Sequence, residues 1–246
     1  MNIILFERDE LKGNRVVLAD HRAKHIVKVL HGNVGDSIRV GETNGEMGSG
    51  KIITIQNKYP FGVELLVSLF VPPAPPPAID LLLALPRPIM LKRILSQVTA
   101  LGVGTIYLIN AARVEKSFWD AGILSEEEYR PHLLHGLEQA VDTQIPKIIL
   151  YKKFRPFVED HLPDLVADYG SLLLAHPHSE NTLSHCLSGK SGKVLCAVGP
   201  EGGWVDFEVG KFVAAGFRSF SMGPRILKVD TAVVSIHGRI SQVLGN

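Results

Sequence analysis

The chain of 246 residues has little of what usually marks a metal site, a membrane span or a disulfide framework. Its two cysteines, Cys186 and Cys196, have no metal-ligand spacing, and Cys196 falls in a buried strand pattern. Lys, Arg, Asp or Pro interrupts every apolar run before it reaches membrane-spanning length. No GxGxxG follows a strand and no GK[ST] occurs, so the expected ligand is not a nucleotide phosphate.

Charge of one sign is also scarce, because 26 Lys and Arg stand against 25 Asp and Glu and leave a net charge of +1. The first residues, MNIILFERDEL, place acids directly after a very short apolar run, which makes them a poor signal peptide. Nothing in the sequence requires an oxidising compartment. We therefore expect a cytoplasmic protein that contacts no membrane.

Residues 1 to about 71 are predicted to form a small β-rich unit with one helix. Asp20 can cap this helix, His21–Leu30, and Gly32 can end it in the left-handed conformation. The strands separated by turn residues are predicted at Asn2–Phe6, Arg15–Leu18, Ser37–Gly41, Lys51–Gln56 and Val63–Val71.

The predicted helix has one apolar face and one basic face, and no acid occurs between His21 and His31. A basic face can be an ordinary solvated surface, or it can contact the phosphates of a nucleic acid. The candidate RNA-binding residues are Arg22, Lys24, His25 and Lys28.

A proline-rich stretch, VPPAPPPA at residues 71–78, favours an extended spacer and marks a domain boundary. We predict domains at 1–72 and 79–246, with a linker at 73–78. After the linker, apolar strand-length runs alternate with helices at 88–101, 126–141 and Thr231–Leu244, which predicts a parallel sheet covered on both faces. The runs are Ile79–Leu85, Thr105–Asn110, Lys147–Tyr151, Ser171–Ala175, Val194–Val198 and Phe217–Ser221. The broad apolar face of the last helix could pack within the domain or against a second copy of the chain.

Two glycine-marked turns follow strands of this second part. GPEGG at 199–203 comes after Val194–Val198, and Gly223-Pro224 comes after Phe217–Met222. Each turn alone could be a simple strand-to-helix connection. Because α/β proteins bind ligands at the carboxyl ends of parallel strands, the pair of turns predicts one shared cleft.

Several strings extend this pattern over nearly the whole chain. They are HPHSE at 176–180, GPEGGW at 199–204, MGPRILKVDTA at 222–232, HIVKVLHGNVGD at 25–36 and LEQAVDTQIP at 137–146. In type and order they resemble the ribosomal RNA small subunit methyltransferase E family of the SPOUT superfamily. That family methylates N3 of uridine 1498 in 16S ribosomal RNA with S-adenosylmethionine.

The resemblance implies an α/β fold: a trefoil-knotted parallel-sheet domain of SPOUT type, preceded by a small PUA-like β-barrel. It also implies a homodimer without a metal, acting on 16S ribosomal RNA in the small ribosomal subunit, with the cofactor in the knot and the active site near the subunit boundary. By resemblance the cofactor pocket would use Ala175, His176, Gly199, Glu201, Gly202, Met222, Gly223, Ile226 and Leu227. These types suit adenine, which needs apolar contacts and close backbone groups. For His176, a structural hydrogen bond ahead of Pro177 is the alternative.

The reaction explains which further residues are needed. Uracil N3 is a poor nucleophile until its proton leaves, so a catalyst must take the proton or stabilise the resulting anion. Arg225 is the candidate for positioning or anion stabilisation, and Lys228 and Asp230 are candidates for a phosphate contact and a proton relay. The alternative for Asp230 is a helix N-cap ahead of Thr231.

The chain departs from the family at several positions, most of them basic. Lys228 and Asp230 stand where Arg and Glu are usual, and Lys lacks the planar fork of Arg. His31, Met90, Gln97 and Asp142 also replace usual basic residues. These changes leave open two other functions: methylation of another RNA such as transfer RNA, or RNA binding without turnover.

Overall fold

A computed structural model of the chain describes residues 1–188 and 192–245. Contacts divide the chain into two units, with one boundary between Pro75 and Pro76, inside the predicted linker. The first unit consists of Met1–Pro75 together with Leu134–Ile145, and the second contains the other described residues. Sequence reasoning had assigned 134–145 to the second domain, whereas the contacts place them with the first.

The first unit is built on a curled five-stranded sheet with one helix. Its strands are β1 (Ile4–Phe6), β2 (Arg15–Leu18), β3 (Ser37–Glu42), β4 (Met47–Gln56) and β5 (Gly62–Val71), and its helix is α1 (His21–Lys28). The strand order is β1-β3-β4-β5-β2, and only the β1–β3 pair is parallel. The residues of the core come from every strand and from the apolar face of α1: Ile4, Phe6, Val16, Leu18, Ala23, Ile26, Val40, Ile52, Val63, Leu65 and Val67. The predicted strands and helix are thereby confirmed in number and order.

Two glycines of this unit serve close packing. β4 begins at Met47, four residues before the predicted start at Lys51. It includes Gly48, where a Cβ would lie 1.9 Å from the Ser68 carbonyl oxygen, so only glycine fits there. The prediction that Gly32 ends α1 in the left-handed conformation is wrong. His31 takes the positive φ of 50°. Gly32 packs closely instead: a Cβ there would lie 2.8 Å from Ile52 Cδ1, so that side chain would have to shift.

The segment 134–145 enters the first unit at the end of helix α3 (Glu126–Ala140). Leu137 is fully buried and packs with Ile3 and Leu5, in and just before β1. The backbone N–H of Asn2 donates to the Glu138 carbonyl oxygen at 2.8 Å. These long-range contacts explain why a helix in the middle of the chain contributes its last turns to the first unit.

The second unit contains a six-stranded, entirely parallel sheet. Its strands are β6 (Ile79–Ala84), β7 (Thr105–Ile109), β8 (Lys147–Tyr151), β9 (Ser171–Ala175), β10 (Val194–Val198) and β11 (Arg218–Phe220), in the order β11-β9-β10-β6-β7-β8. Every residue of β6, β7 and β10 is buried, as expected for strands covered on both faces. Cys196 in β10 is 2% exposed and free, which confirms its prediction as a core residue.

Helices connect the strands of this sheet. They are α2 (Pro88–Ala100), α3, α4 (Phe154–Pro156) and α5 (Leu162–Val166) with a π-helical turn between them (Phe157–His161), α6 (Leu183–Leu187), α7 (Asp206–Ala214) and α8 (Val229–Leu244). The apolar face of α8 packs within the unit, where Val233, Ile236 and Ile240 are at most 3% exposed. No helix among the described residues combines the length and the apolarity needed to cross a membrane.

The strand order brings the carboxyl ends of four strands side by side. β11, β9, β10 and β6 are consecutive neighbours in the sheet and all run in the same direction. Their last residues are Phe220, Ala175, Val198 and Ala84. The segments that follow these strands therefore lie at one edge of the sheet, where a parallel sheet binds ligands.

Candidate active site

A cavity of about 710 Å³ opens at this edge of the second unit. Its volume is in the usual range for small-molecule sites. Its walls include all twelve residues predicted for cofactor and catalysis: Ala175, His176, Gly199, Glu201, Gly202, Met222, Gly223, Arg225, Ile226, Leu227, Lys228 and Asp230. Segments far apart in sequence thus meet in one place because the parallel sheet orders them.

Two buried side chains, Trp204 and Glu208, anchor the turn after β10. Trp204 is 5% exposed and packs edge-on against Phe212 of α7, with ring centroids 5.1 Å apart. The carboxylate of Glu208, itself 2% exposed, accepts hydrogen bonds from Val205 N at 3.0 Å and from Ala112 N at 2.6 Å. These bonds join the start of α7 to the segment after β7 and keep the Gly199–Gly203 backbone in place.

The turn after β11 has the more open backbone. Gly223 has a φ of +113°, which L side chains rarely adopt, and a Cβ there would have no neighbour within 4 Å. The amide of Gly223 donates to Ser221 Oγ at 3.2 Å. The side chains that follow are exposed, with Ile226 at 79%, so this turn forms the outer lip of the cavity.

His176 directly follows β9 and lines the cavity beside the two turns. Its backbone N–H donates to the Phe220 carbonyl oxygen at 2.9 Å and so joins the ends of β9 and β11. Its ring Nδ1 is buried without a hydrogen-bond partner among the described residues, so the alternative prediction of a structural hydrogen bond is not met at this atom. Burial, aided by neighbouring His178, lowers the pKa of His176 and favours a neutral ring.

This lining fits S-adenosylmethionine. Val198, Met222, Leu227 and Ile236 offer apolar surface for an adenine ring, and the turns expose backbone groups beside it. His176 also lines the cavity, and its buried Nδ1 has no hydrogen-bond partner among the described residues. In the part of the chain that the structure describes, no group of three His, Cys, Asp or Glu side chains is close enough to bind a metal ion.

Three arginines that sequence reasoning missed also line the cavity. Arg87 Nε lies 3.3 Å from Glu201 Oε2, Arg93 Nη1 lies 3.1 Å from Asp230 Oδ2, and Arg113 Nη1 donates to the Gly202 carbonyl oxygen. The position of Arg87, three residues after β6, was a usable signal because it follows a strand end. Arg113 follows the end of β7 by four residues and gave the same signal. Arg93 gave none, because a cation in the middle of a helix is usually only solvated.

Asp230 lies inside helix α8, so its interpretation as an N-cap is wrong. The helix begins at Val229, and Lys228 occupies the cap position without a side-chain cap bond. Asp230 is 8% exposed, and its Oδ1 accepts a hydrogen bond from Thr231 N at 2.9 Å. A carboxylate in the first turn is stabilised there by the helix dipole.

The other two catalytic candidates face outward. Arg225 and Lys228 are both exposed, and within residues 1–188 and 192–245 their side chains make no hydrogen bond or ion pair. They are free to meet a charged partner outside the chain.

The four RNA-binding candidates lie on α1 of the first unit and differ in availability. The side chain of Arg22 is only 12% exposed, forms ion pairs with Glu10 and Asp20, and donates to the Leu5 carbonyl oxygen. The hydrogen bond from Arg22 lowers the pKa of Glu10. The guanidinium of Arg22 is therefore already paired within the first unit. Lys24 and Lys28 are exposed, and Lys28 Nζ lies 5.4 Å from the centre of the Phe61 ring.

His25 is the remaining candidate on α1. It is half-buried, and its Nε2 has no partner among the described residues. Desolvation lowers the pKa of His25, which favours a neutral ring. The exposed cations of this helix are therefore the two lysines.

Comparison with known proteins gives the class first. The RNA methyltransferase domain family matches residues 73–241. Two solved structures share the fold over 98% of the chain. They are a putative methyltransferase from Legionella pneumophila (TM-score 0.78, 20% identity, 97% of that chain) and a ribosomal RNA small subunit methyltransferase E from Neisseria gonorrhoeae (0.76, 19%, 98%), both with bound S-adenosylmethionine. This likeness confirms the predicted α/β fold class, in which a small curled β unit precedes a domain with a parallel six-stranded sheet.

Two curated relatives identify a family within the RNA methyltransferases. The chain is 36% identical over 241 residues to the ribosomal RNA small subunit methyltransferase E of Treponema pallidum, covering 94% of this chain and 87% of the relative. It is 25% identical over 243 residues to a methyltransferase E of Borreliella burgdorferi, covering 96% and 95%. The chain belongs to the ribosomal RNA small subunit methyltransferase E family.

Proposed function

We propose that this protein transfers the methyl group of S-adenosylmethionine to N3 of uridine 1498 in the 16S ribosomal RNA of the small subunit. One observation carries the proposal: a single cavity gathers all twelve residues that were predicted for cofactor binding and catalysis. Family membership, on relatives named for small-subunit ribosomal RNA, supports the substrate class.

In this function the glycine turns and the apolar wall hold the cofactor. Gly199, Gly202 and Gly223 let the backbone approach it closely, and Ala175, Met222, Ile226 and Leu227 contact its apolar parts. Glu201 is available for the ribose hydroxyls, although Arg87 also pairs with it. When bound, S-adenosylmethionine supplies an electrophilic methyl group.

On the substrate side we assign positioning of the RNA to the exposed Arg225 and Lys228, beside Asp230. Lys24 and Lys28 of α1 are proposed to contact RNA phosphates, while Arg22 keeps the unit folded. We further propose that the protein acts in the cytoplasm as a homodimer. The family resemblance alone supports the dimer, since the apolar face of α8 is already buried within one chain.

Methyl transfer to isolated small subunits that lack this modification tests the function directly. With labelled S-adenosylmethionine, the product is mapped by reverse transcription, because an N3 methyl group blocks base pairing and stops the polymerase. We expect a new stop at uridine 1498, and none on subunits that already carry the modification. Label transferred to transfer RNA instead would refute the proposed substrate, and cofactor binding without transfer to any RNA would refute the activity.

A further inference from the structure

The ion pair between Arg93 and Asp230 lines the cavity but lacks a role in the function proposed above. Arg93 lies on α2 and Asp230 lies in the first turn of α8, 137 positions later in the chain. Arg93 Nη1 donates to Asp230 Oδ2 at 3.1 Å. The pair therefore exists only because α2 and α8 pack together beside the cavity.

The two partners differ sharply in exposure. The side chain of Asp230 is 11% exposed, and both of its oxygens already accept a hydrogen bond, from Thr231 N and from Arg93. The side chain of Arg93 is 61% exposed. A guanidinium has five donor N–H groups, and within the described residues the other four make no hydrogen bond. The group that can meet an RNA base is thus the arginine.

We propose that Arg93 stabilises the uracil anion during methyl transfer, and that Asp230 holds Arg93 in place and does not accept the proton. This inference rests on the proposed function and refines the roles within it. Negative charge develops on O2 and O4 when uracil loses its N3 proton, and a cation held beside the base lowers the free energy of that state. Arg93 is fixed by its carboxylate, whereas Arg225 and Lys228 have no such anchor.

The step balances without a protein base. The N3 proton passes to water or hydroxide of the solvent, and the anion remains beside Arg93. N3 then forms a bond to the methyl carbon while the carbon–sulfur bond of S-adenosylmethionine breaks, and that electron pair stays on sulfur. Asp230 keeps its negative charge throughout and orients the guanidinium plane.

This scheme predicts how the rate depends on pH. If the proton goes to solvent, the rate rises with pH as more uracil is ionised, and removal of Arg93 moves that rise to higher pH. None of the variants changes the other ionisable groups that line the cavity, so their titration is common to every protein compared. These groups are Arg87, Arg113, His176, His178, Glu201, Arg225 and Lys228. A merely structural loss would lower the rate equally at every pH.

The test uses the full-length protein with unmodified small subunits, in single-turnover methyl transfer from pH 6 to pH 9. The variants are Arg93→Met, Arg93→Lys and Asp230→Asn, and Lys92→Met is the matched control. Lys92 precedes Arg93 on the same helix, is exposed and does not line the cavity. Calorimetry with S-adenosylmethionine and filter binding with subunits check that each variant still binds cofactor and RNA.

We expect Arg93→Met to slow transfer roughly 100-fold at pH 7, the loss usual for one stabilising donor, with recovery as the pH rises. Arg93→Lys should lose less, because it keeps the charge but not the planar fork. Asp230→Asn should slow transfer by only about 10-fold with the slope against pH retained. Its amide oxygen can still accept from Arg93, although its NH2 group cannot accept the bond from Thr231 N. Lys92→Met should match the unmodified protein.

Two results would overturn the inference while leaving the proposed function intact. One is normal transfer by Arg93→Met. The other is a flat pH dependence with near-complete loss in Asp230→Asn, which would make Asp230 the proton acceptor. Failure of the unmodified protein to methylate any subunit would instead reject the proposed function itself.

Discussion

Replacing Gly223 with valine tests the cofactor pocket most directly. At φ +113° the backbone of this turn suits glycine alone, and a Cβ there would project into space with no atom within 4 Å. Gly223 is exposed, so a new side chain disturbs no core packing. The change should therefore reduce cofactor binding without unfolding the protein.

The size of the effect follows from the backbone. A residue other than glycine held in such a conformation costs about 1–3 kcal/mol. The variant must leave this conformation, and the binding-competent turn becomes a minor state. Because the apparent dissociation constant rises as the competent fraction falls, we expect affinity for S-adenosylmethionine to drop between about 5-fold and about 150-fold.

Isothermal titration calorimetry with S-adenosylmethionine measures the change, and Gly210→Val is the matched control. Gly210 lies on α7, is exposed, has no atom within 4 Å of a Cβ position and has no positive φ. A Gly223→Val protein that is folded, by its thermal unfolding, and yet binds the cofactor normally would refute the placement of the site. Gly199→Val should also fail to bind, for a different reason. Its Cβ would lie 3.0 Å from Trp204 Nε1, so the buried indole must move.

Three further predictions concern RNA binding and stability. Replacing Lys24 and Lys28 together with Glu should weaken RNA binding and flatten its salt dependence in filter-binding titrations; unchanged binding would make this helical face a solvated surface. Glu208→Ala removes the charged acceptor of two partly buried N–H groups, those of Ala112 and Val205, so we expect the free energy of unfolding in urea to fall by about 2 kcal/mol, and less in Glu208→Gln. A fall below about 1 kcal/mol would contradict the anchoring role. Burial raises the pKa of Glu138 from 4.5 to about 7, so folding favours its protonated form, and stability should fall as pH rises from 4.5 to 7. Glu138→Gln should remove that dependence; its persistence in the variant would assign it to another group.

Much of the fold could be predicted because the local signals agree with one another. Asp20 accepts from Arg22 N as the predicted cap of α1, and the apolar runs of the second unit became the strands of a parallel sheet. β4 was predicted too short, since Gly48 lowers strand propensity and its close neighbour, Ser68, is distant in sequence. Likewise, no local feature in the sequence of α3 predicts that Leu137, near its end, packs with Ile3 and Leu5.

The sequence by itself determined which segments carry chemistry, because glycine turns after apolar strands, and the strings around them, are local features. Those segments meet in one cavity, as the predicted sheet implied. Only the tertiary structure decided what each charge does. Arg22, on the basic face of α1, is bound to Glu10 and Asp20, whereas Arg93, on an ordinary helix, reaches Asp230. The physical reason is that an ion pair depends on the distance between two side chains in space. Neither composition nor periodicity encodes that distance, whether the partners are 12 positions apart, as Arg22 and Glu10 are, or 137, as Arg93 and Asp230 are.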